Sequence, residues 1–429
     1  MSTSESMPQS FQQSDFRPGP DNKPLPLDVA RARIVEAITP IDELERVPLH
    51  AGLQRVLGKT VVSDINVPGA DNSSMDGYGY AAGDLGADGD TLEIVGESLA
   101  GHPYGSELAA GQCVRIMTGA VVPAGVDTVV MQENTRVEGD RLVVEQRPKA
   151  GSNIRAAGED IAIGATVVAA GCYLRAADIA VLASVGVHEI DVVRRPRVAF
   201  FSTGDELRPI DGPIHPGEIY DSNRYGLAAQ LAELGMEGVD LGVVGDSPEA
   251  LRAAFDKARD CDAVVTSGGV SVGAADFVVD VLGEQGAVDF WRVAIKPGKP
   301  LAFGTLGKAR FFGLPGNPVS TAVTFVQLVR PALVRMAGGH PAVPVRLDLP
   351  TLADLRKSPG RENFLRARLV TTDAGRLAVD PIDHQGSGVM RSMSAADCFI
   401  VLPAAQHDVP AGEMVTVEPF AQTIWGHPE

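Results

Sequence analysis

Ala263-Val264-Val265-Thr266-Ser267-Gly268-Gly269-Val270-Ser271-Val272-Gly273 is an apolar run that breaks into hydroxyls and glycines, the pattern of a buried strand followed by a Gly-rich loop. The same rhythm extends on both sides. Val198–Phe201 is a strand run that ends in Ser202-Thr203-Gly204-Asp205-Glu206. Leu227, Leu231 and Leu234 form a helix face stopped by Gly235, and Val239–Val244 is the next strand. Ser247 supplies an N-cap and Pro248 a first helical position, ahead of Leu251, Phe255 and Ala258 on one face. Phe290–Ile295, Leu301–Phe303 and Phe311–Leu314 read as further strands. Strands alternating with helices predict βαβ units and a central, doubly wound, mostly parallel α/β domain over residues 191–340.

The flanks read differently. Residues 1–26 are rich in Ser, Gln and Pro and predict a disordered tail. Leu27, Ala30, Ile34 and Ile38 fall at helical spacing, and a second helix is expected near Leu174–Val185 with Gly186 as its stop. If these helices pack together, residues 27–65 and 150–190 form one helical and β linking domain, and residues 66–149 an inserted β domain. Val137-Glu138-Gly139-Asp140-Arg141 reads as a hairpin turn within that insert. After Pro341 the runs Val345–Leu349, Phe364–Val370, Arg376–Val379, Cys398–Leu402 and Met414–Val417 predict a C-terminal β-barrel-like domain over residues 341–429.

The 429 residues carry 37 Lys+Arg against 55 Asp+Glu, a net charge of -18. That balance argues against broad nucleic-acid or anionic-membrane binding, because phosphate contacts need basic surface. Any anion must be held by a local pocket of Lys, Arg and backbone amides. Cys113, Cys172, Cys261 and Cys398 are too far apart for a zinc cage or a disulfide framework, so reduced thiols and a cytoplasmic setting are expected. No charged segment followed by an apolar run opens the sequence, so no signal peptide is expected. The uncharged stretch Phe311–Val329 is broken by Gly313, Pro315, Gly316 and Pro318, which excludes a spanning helix there.

In an open parallel sheet, ligands bind beyond the carboxyl ends of the strands, and there the unusual loops collect. Ser267, Gly268, Gly269 and Ser271 suit either an anion cradle or an ordinary turn. Lys296-Pro297-Gly298-Lys299 can aim two ammonium groups at one pocket, or lie as a solvated turn, with Arg292 three residues ahead as a third cation. Pro315-Gly316-Asn317-Pro318-Val319-Ser320 opens a helix whose N-terminus favours anions. Glu206, Asp246 and Asp276 lie on the same rim; carboxylates beside phosphate-binding loops point to magnesium, although each alone reads as a cap or turn residue. Outside this domain stand Asp76 in a Gly-containing turn, Thr118-Gly119, and Arg155 ahead of Gly158-Glu159-Asp160. Gln385-Gly386-Ser387 and Arg391-Ser392 offer hydroxyls and a cation in the C-terminal module. No Ser-His-Asp or Cys-His arrangement calls for a covalent nucleophile.

Together these motifs resemble the MoeA family of molybdopterin molybdenumtransferases, related to the C-terminal enzyme domain of gephyrin. The resemblance rests on Met75-Asp76-Gly77-Tyr78, the Arg-Ile-Met-Thr-Gly run ending at Gly119, Asn153-Ile154-Arg155 with Gly158-Glu159-Asp160, and Ser202–Glu206. It continues through Ser267–Gly273 with Asp276, Lys296–Pro300, and Gly313–Pro318, in family order from about Leu27 to Phe420. It implies a molybdopterin-binding-like α/β domain and a homodimer with a shared active site. The implied reaction is the last step of molybdenum cofactor biosynthesis, in which molybdate enters adenylylated molybdopterin and AMP leaves. By matching position, the resemblance implies that Asp246 and Asp276 hold magnesium, and that Lys296, Lys299, Ser271 and Ser320 bind molybdate or phosphate. Glu206 and Pro315 would line the pterin-nucleotide cleft, and Ser267, Gly268, Gly269, Arg292, Pro318 and Ser387 are expected among the substrate-binding residues. Asp76, Thr118, Arg155 and Asp160 would reach it from the partner subunit. Arg292 stands where relatives often carry Lys, and Gly79 where Ala is usual. Other molybdenum cofactor biosynthesis proteins are further expected partners. Two other readings of the same residues are a molybdopterin adenylyltransferase and a non-catalytic scaffold of the gephyrin type.

Overall fold

The computed structural model describes residues 24–86, 91–269 and 277–420. It divides into two compact units: residues 45–192 form one, and the chain on either side of them forms the other.

In the flanking unit, the central sheet runs Glu237–Val244, Arg197–Thr203, Ala263–Ser267, Ala309–Leu314, Pro300–Leu306, Gly286–Arg292. The first four strands are parallel and the last two antiparallel to their neighbours. Successive residues point to opposite faces of a strand. Accordingly Val198, Phe200, Val265 and Phe312 enter one core, and Ala199, Phe201, Val264 and Phe311 the other. The first core is covered by helices Leu27–Glu36, Ser222–Glu233 and Pro318–Thr324 with its continuation, the second by Pro248–Ala258 and Phe277–Gln285. Helices on both faces make the sheet doubly wound. The Ser247 hydroxyl accepts from Ala250 N, as its N-cap position predicts. After Thr324 the helix widens into a π-turn over Phe325–Val329 before Arg330–Met336, where Pro331 lacks the N–H that a regular turn needs.

Three expectations are corrected. Leu27, Ala30 and Ile34 are buried in the first α/β core, so the opening helix belongs to that core. Leu25, expected within a disordered tail over residues 1–26, instead bridges Val293, donating to Arg292 O and accepting from Ala294 N, while residues 1–23 of that expectation lie outside the described residues. That insertion also splits the expected strand Phe290–Ile295. Gly286–Arg292 stays in the central sheet, while Ile295–Lys296 joins the C-terminal one beside Glu362–Thr371. Phe311–Val329 crosses a strand, a loop and two helical segments, and no described helix is long and apolar enough to cross a membrane.

The C-terminal sheet orders Ile295–Lys296, Glu362–Thr371, Cys398–Leu402, Met414–Pro419 and Leu347–Pro350, with Leu377–Pro381 also paired to Glu362–Thr371. Thr351 bridges Val379, which joins the two edges and closes the sheet in barrel fashion. In unit 45–192, six strands order as Thr128–Met131, Gly77–Tyr80, Gln112–Ile116, Thr91–Ser98, Arg141–Val144, Thr135–Glu138. Glu138 pairs with Arg141 across the expected hairpin, with Gly139 at φ 67°. A separate core there gathers Leu57, Val168, Leu174, Leu182, Ile190 and Val192 around helix Ala176–Ser184. Gly79 lies mid-strand, where an added Cβ would meet Val126 Cγ1 at 3.0 Å. Cys113, Cys261 and Cys398 are buried, all four thiols are free, and burial pushes Cys113 and Cys398 up to about 12.

Arg366 organises the C-terminal module. It is 0% exposed, donates to Ser392 Oγ at 3.0 Å and to the Gly386 and His384 carbonyls at 3.1 and 3.3 Å, and burial lowers its pKa to about 10. Arg366→Ala leaves those acceptors unpaired around a cavity. We predict a loss of about 3 kcal/mol, read as a shift in urea midpoint; a change under about 0.5 kcal/mol would contradict the assignment.

Candidate active site

Three loops meet at the carboxyl edge of the central sheet. Gly268 N donates to Leu314 O at 3.0 Å, tying the loop after Ala263–Ser267 to the loop after Ala309–Leu314. Gly268 sits at φ +93°, and a Cβ there would lie 2.4 Å from Thr203 O, so only glycine allows the third loop this close. A Cβ on Gly316 would touch Gly268 Cα at 3.6 Å. The resulting cleft is lined by Thr203, Glu206, Ser267, Gly316 and Pro318, with Asn223 and the Leu207, Ile219 and Tyr220 side chains completing it. Asp221 caps the helix that carries Asn223: its carboxylate accepts from Arg224 N at 3.2 Å and Ser202 Oγ at 2.8 Å. Asp246 accepts from the Thr203 hydroxyl, which brings it to the same rim.

The cationic turn lies beside the helix that leaves this cleft. A Cβ on Gly298 would meet Thr324 Oγ1 at 2.5 Å and Ser320 O at 3.5 Å, so the Lys296–Lys299 turn packs on the first turns of helix Pro318–Thr324. Both lysines are exposed, and Arg292 is half-buried opposite Pro300 in the strand register. Ser320 is 4% exposed, and Val319 N donates to Ser387 O at 3.0 Å, bringing the C-terminal loop to the same helix. Lys296 pairs with Asn363. Pro315 O accepts from Thr321 Oγ1 at 2.6 Å, which stiffens the Pro315–Pro318 turn. Gly269, at φ +67°, packs on Val278. Ser271 and Asp276 lie outside the described residues.

Unit 45–192 makes its own constellation. Thr118 donates to Asp76 Oδ1 from its amide at 2.8 Å and its hydroxyl at 2.7 Å, and these bonds hold the Asp76 carboxyl below the usual carboxylate range. Ile154–Arg155 pairs with Asn72–Ser73, and Gly119 N donates to Ser73 O, so Arg155 and the Thr118 loop flank one short ribbon. Asp160 is exposed, its amide on Val67 O.

Two groups escape the sequence reading. Asn223 follows Asp221-Ser222, a run readable as a helix cap, but nothing in it announces that the next amide crosses to Ser267 and Gly316. Lys357 lies 4% exposed, its Nζ donating to the Ser358 and Arg361 carbonyls at 3.1 and 2.7 Å; burial and then the nearby Lys296 charge lower its pKa. A lysine before Ser-Pro-Gly-Arg reads as a surface turn in sequence.

Among the described residues no three His, Cys, Asp or Glu side chains converge as a metal cage. The Asp246 carboxylate and the Thr203 hydroxyl that donates to it are oxygen groups on the rim of the cleft that Glu206 also lines, the donor chemistry that suits a hard cation. Magnesium is usually held by one or two carboxylates plus substrate phosphates, so the residues fit it.

Sheet, cleft and cationic turn define a modular α/β protein with a cleft at its strand carboxyl ends. Comparison with known proteins is specific. The sequence matches the MoeA N-terminal region (domain I and II) over residues 25–186, a probable molybdopterin binding domain over 199–335 and the MoeA C-terminal region (domain IV) over 348–420. It is 41% identical over 399 residues to the molybdopterin molybdenumtransferase of Haemophilus influenzae, covering 92% of this chain and 98% of the relative. It is 32% identical over 404 residues to that of Bacillus subtilis, covering 92% and 94%. The crystal structure of the molybdopterin biosynthesis MoeA protein from Pyrococcus horikoshii OT3 superposes with a TM-score of 0.80 at 28% identity, covering 93% of this chain and 100% of that one. The chain belongs to the MoeA family of molybdopterin molybdenumtransferases.

The Thr118 bonds favour the charged form of Asp76, so their contribution is present at neutral pH and fades as pH falls through the lowered pKa. Thr118→Val removes the hydroxyl donor. A carboxyl-carbon NMR titration is expected to show the Asp76 midpoint moving up toward the ordinary value; an unmoved midpoint would exclude the hydroxyl as its cause.

Proposed function

We propose that this protein catalyses molybdate insertion into adenylylated molybdopterin with release of AMP. The observation that carries this reading is the meeting of three strand-end loops, rich in amide and hydroxyl donors, next to a two-lysine turn on one helix. Breaking a phosphate anhydride depends on positioning and charge neutralisation more than on covalent chemistry. In this reading the Ser267 hydroxyl and the Gly269 backbone hold the phosphoryl oxygens, with Gly268 shaping the loop beneath them, while Glu206, Pro315 and Pro318 line the pterin-nucleotide cleft. Lys296, Lys299, Ser271, Ser320, Ser387 and Arg292 hold the tetrahedral molybdate as substrate; Arg292 offers a planar fork where a lysine would offer a point charge. Asp246 and Asp276 would hold magnesium, which when bound neutralises phosphate charge and polarises the anhydride. The dithiolene sulfurs of the substrate receive the molybdenum, so the chain's own task is to orient the two substrates and exclude water. Homodimer formation, with Asp76, Thr118, Arg155 and Asp160 serving the partner's cleft, belongs to the same proposal, as do a cytoplasmic setting and contact with other molybdenum cofactor biosynthesis proteins.

Purified protein given adenylylated molybdopterin and magnesium is expected to release AMP only when molybdate is added. Adenylylation of molybdopterin from ATP would instead indicate an adenylyltransferase, and no reaction with either substrate a scaffold. Lys296→Ala is expected to raise the molybdate concentration for half-maximal rate about tenfold or more, the scale of one charge-assisted contact; an unchanged requirement would remove Lys296 from the oxyanion site.

A further inference from the structure

One wall of the cleft is set by a residue that no motif above contains. Asn223 is half-buried in the first turn of helix Ser222–Glu233, and its Nδ2 donates to Ser267 Oγ at 2.6 Å and to Gly316 O at 2.7 Å. A carbonyl oxygen only accepts, so the nitrogen of the amide must face Gly316, and both its N–H bonds are committed. Ser267 ends one parallel strand and Gly316 lies in the loop after its neighbour, so a single amide crosses from a third element and staples the two loops that form the floor of the cleft.

The consequence falls on the Ser267 proton. The Ser267 oxygen accepts from Asn223, and among the described residues its hydroxyl donates to none. A hydroxyl that already accepts a short hydrogen bond is polarised toward donating. Ser267 is 1% exposed yet lines the cleft, so the outlet for that proton is the cleft itself. We infer that Asn223 is a positioning residue: by donating to Ser267 Oγ it turns the Ser267 hydroxyl proton outward, toward a phosphoryl oxygen of a bound nucleoside monophosphate, while fixing the spacing of the two loops. The inference rests on the reading of this cleft as the nucleotide site of the proposed reaction.

A residue that merely braced the loops would weaken phosphate-bearing and phosphate-free ligands alike. Calorimetric affinities for AMP and for adenosine, measured on the full chain, separate the two roles. Ser267→Ala is expected to weaken AMP about tenfold, the scale of one hydrogen bond to a charged oxygen, with adenosine changed less than about twofold. Asn223→Ala is expected to weaken AMP about fivefold with the same indifference to adenosine. In the double variant the second change is expected to add less than about twofold, because Asn223 acts through Ser267. Asn223→Asp keeps the size but presents an acceptor to Ser267, which draws the proton inward; AMP affinity is expected to fall below that of Asn223→Ala. Losses that multiply in the double variant, equal losses for AMP and adenosine, or an unchanged AMP affinity in Asn223→Ala beside a weakened Ser267→Ala would each overturn the inference. An unchanged AMP affinity in Ser267→Ala would overturn the nucleotide reading of the cleft, and the inference with it.

Discussion

The site depends on one close approach. Thr203 O stands 2.4 Å from where a Gly268 side chain would begin, and Gly268 N reaches Leu314 O from the other side. Three neighbouring strand ends are thereby drawn together, with no side chain between their backbones. A positive φ at Gly268 turns the chain out of the sheet at that point, so Ser267 ends the strand and lines the cleft. Any larger residue would push the loops apart and lose the concavity in which a phosphoryl group can meet several donors at once.

Charge is organised against the background of the whole. The net charge of -18 disfavours anions at long range, yet Lys296, Lys299 and Arg292 gather on and beside one turn. Screening limits exposed charges to about 8–10 Å at ordinary ionic strength, so a local cluster can prevail over distant acids. Lys357 adds a further cation whose ammonium is spent on the Ser358 and Arg361 carbonyls. It holds the turn next to Lys296 in shape, and burial together with the Lys296 charge lowers the Lys357 pKa.

The α/β domain was legible because its signals are local. Ser247 and Pro248 announce a helix start, Gly235 a helix end, and the alternating burial of Val198, Ala199, Phe200 and Phe201 follows from strand geometry. The rim residues Glu206, Ser267 and Pro318 were legible through the rule that such sheets bind at their carboxyl edge. What stayed hidden depends on chain segments far apart in sequence. The Leu27 helix has the right periodicity, but periodicity does not say which core it enters. Leu25 interrupts the run from Phe290 to Ile295 from a distance of over 260 positions, which no window on that run can reveal. Asn223 is likewise a helix-cap neighbour in sequence and a cross-loop clamp only in space.

Anomalous scattering at the molybdenum edge, from a crystal soaked with molybdate and AMP, is the most direct measurement. The account places the molybdenum peak within hydrogen-bond reach of the Lys296 ammonium at the start of helix Pro318–Thr324, with the AMP phosphate against Gly268. A peak bound elsewhere on the chain, with AMP absent from the Ser267 loop, would contradict it.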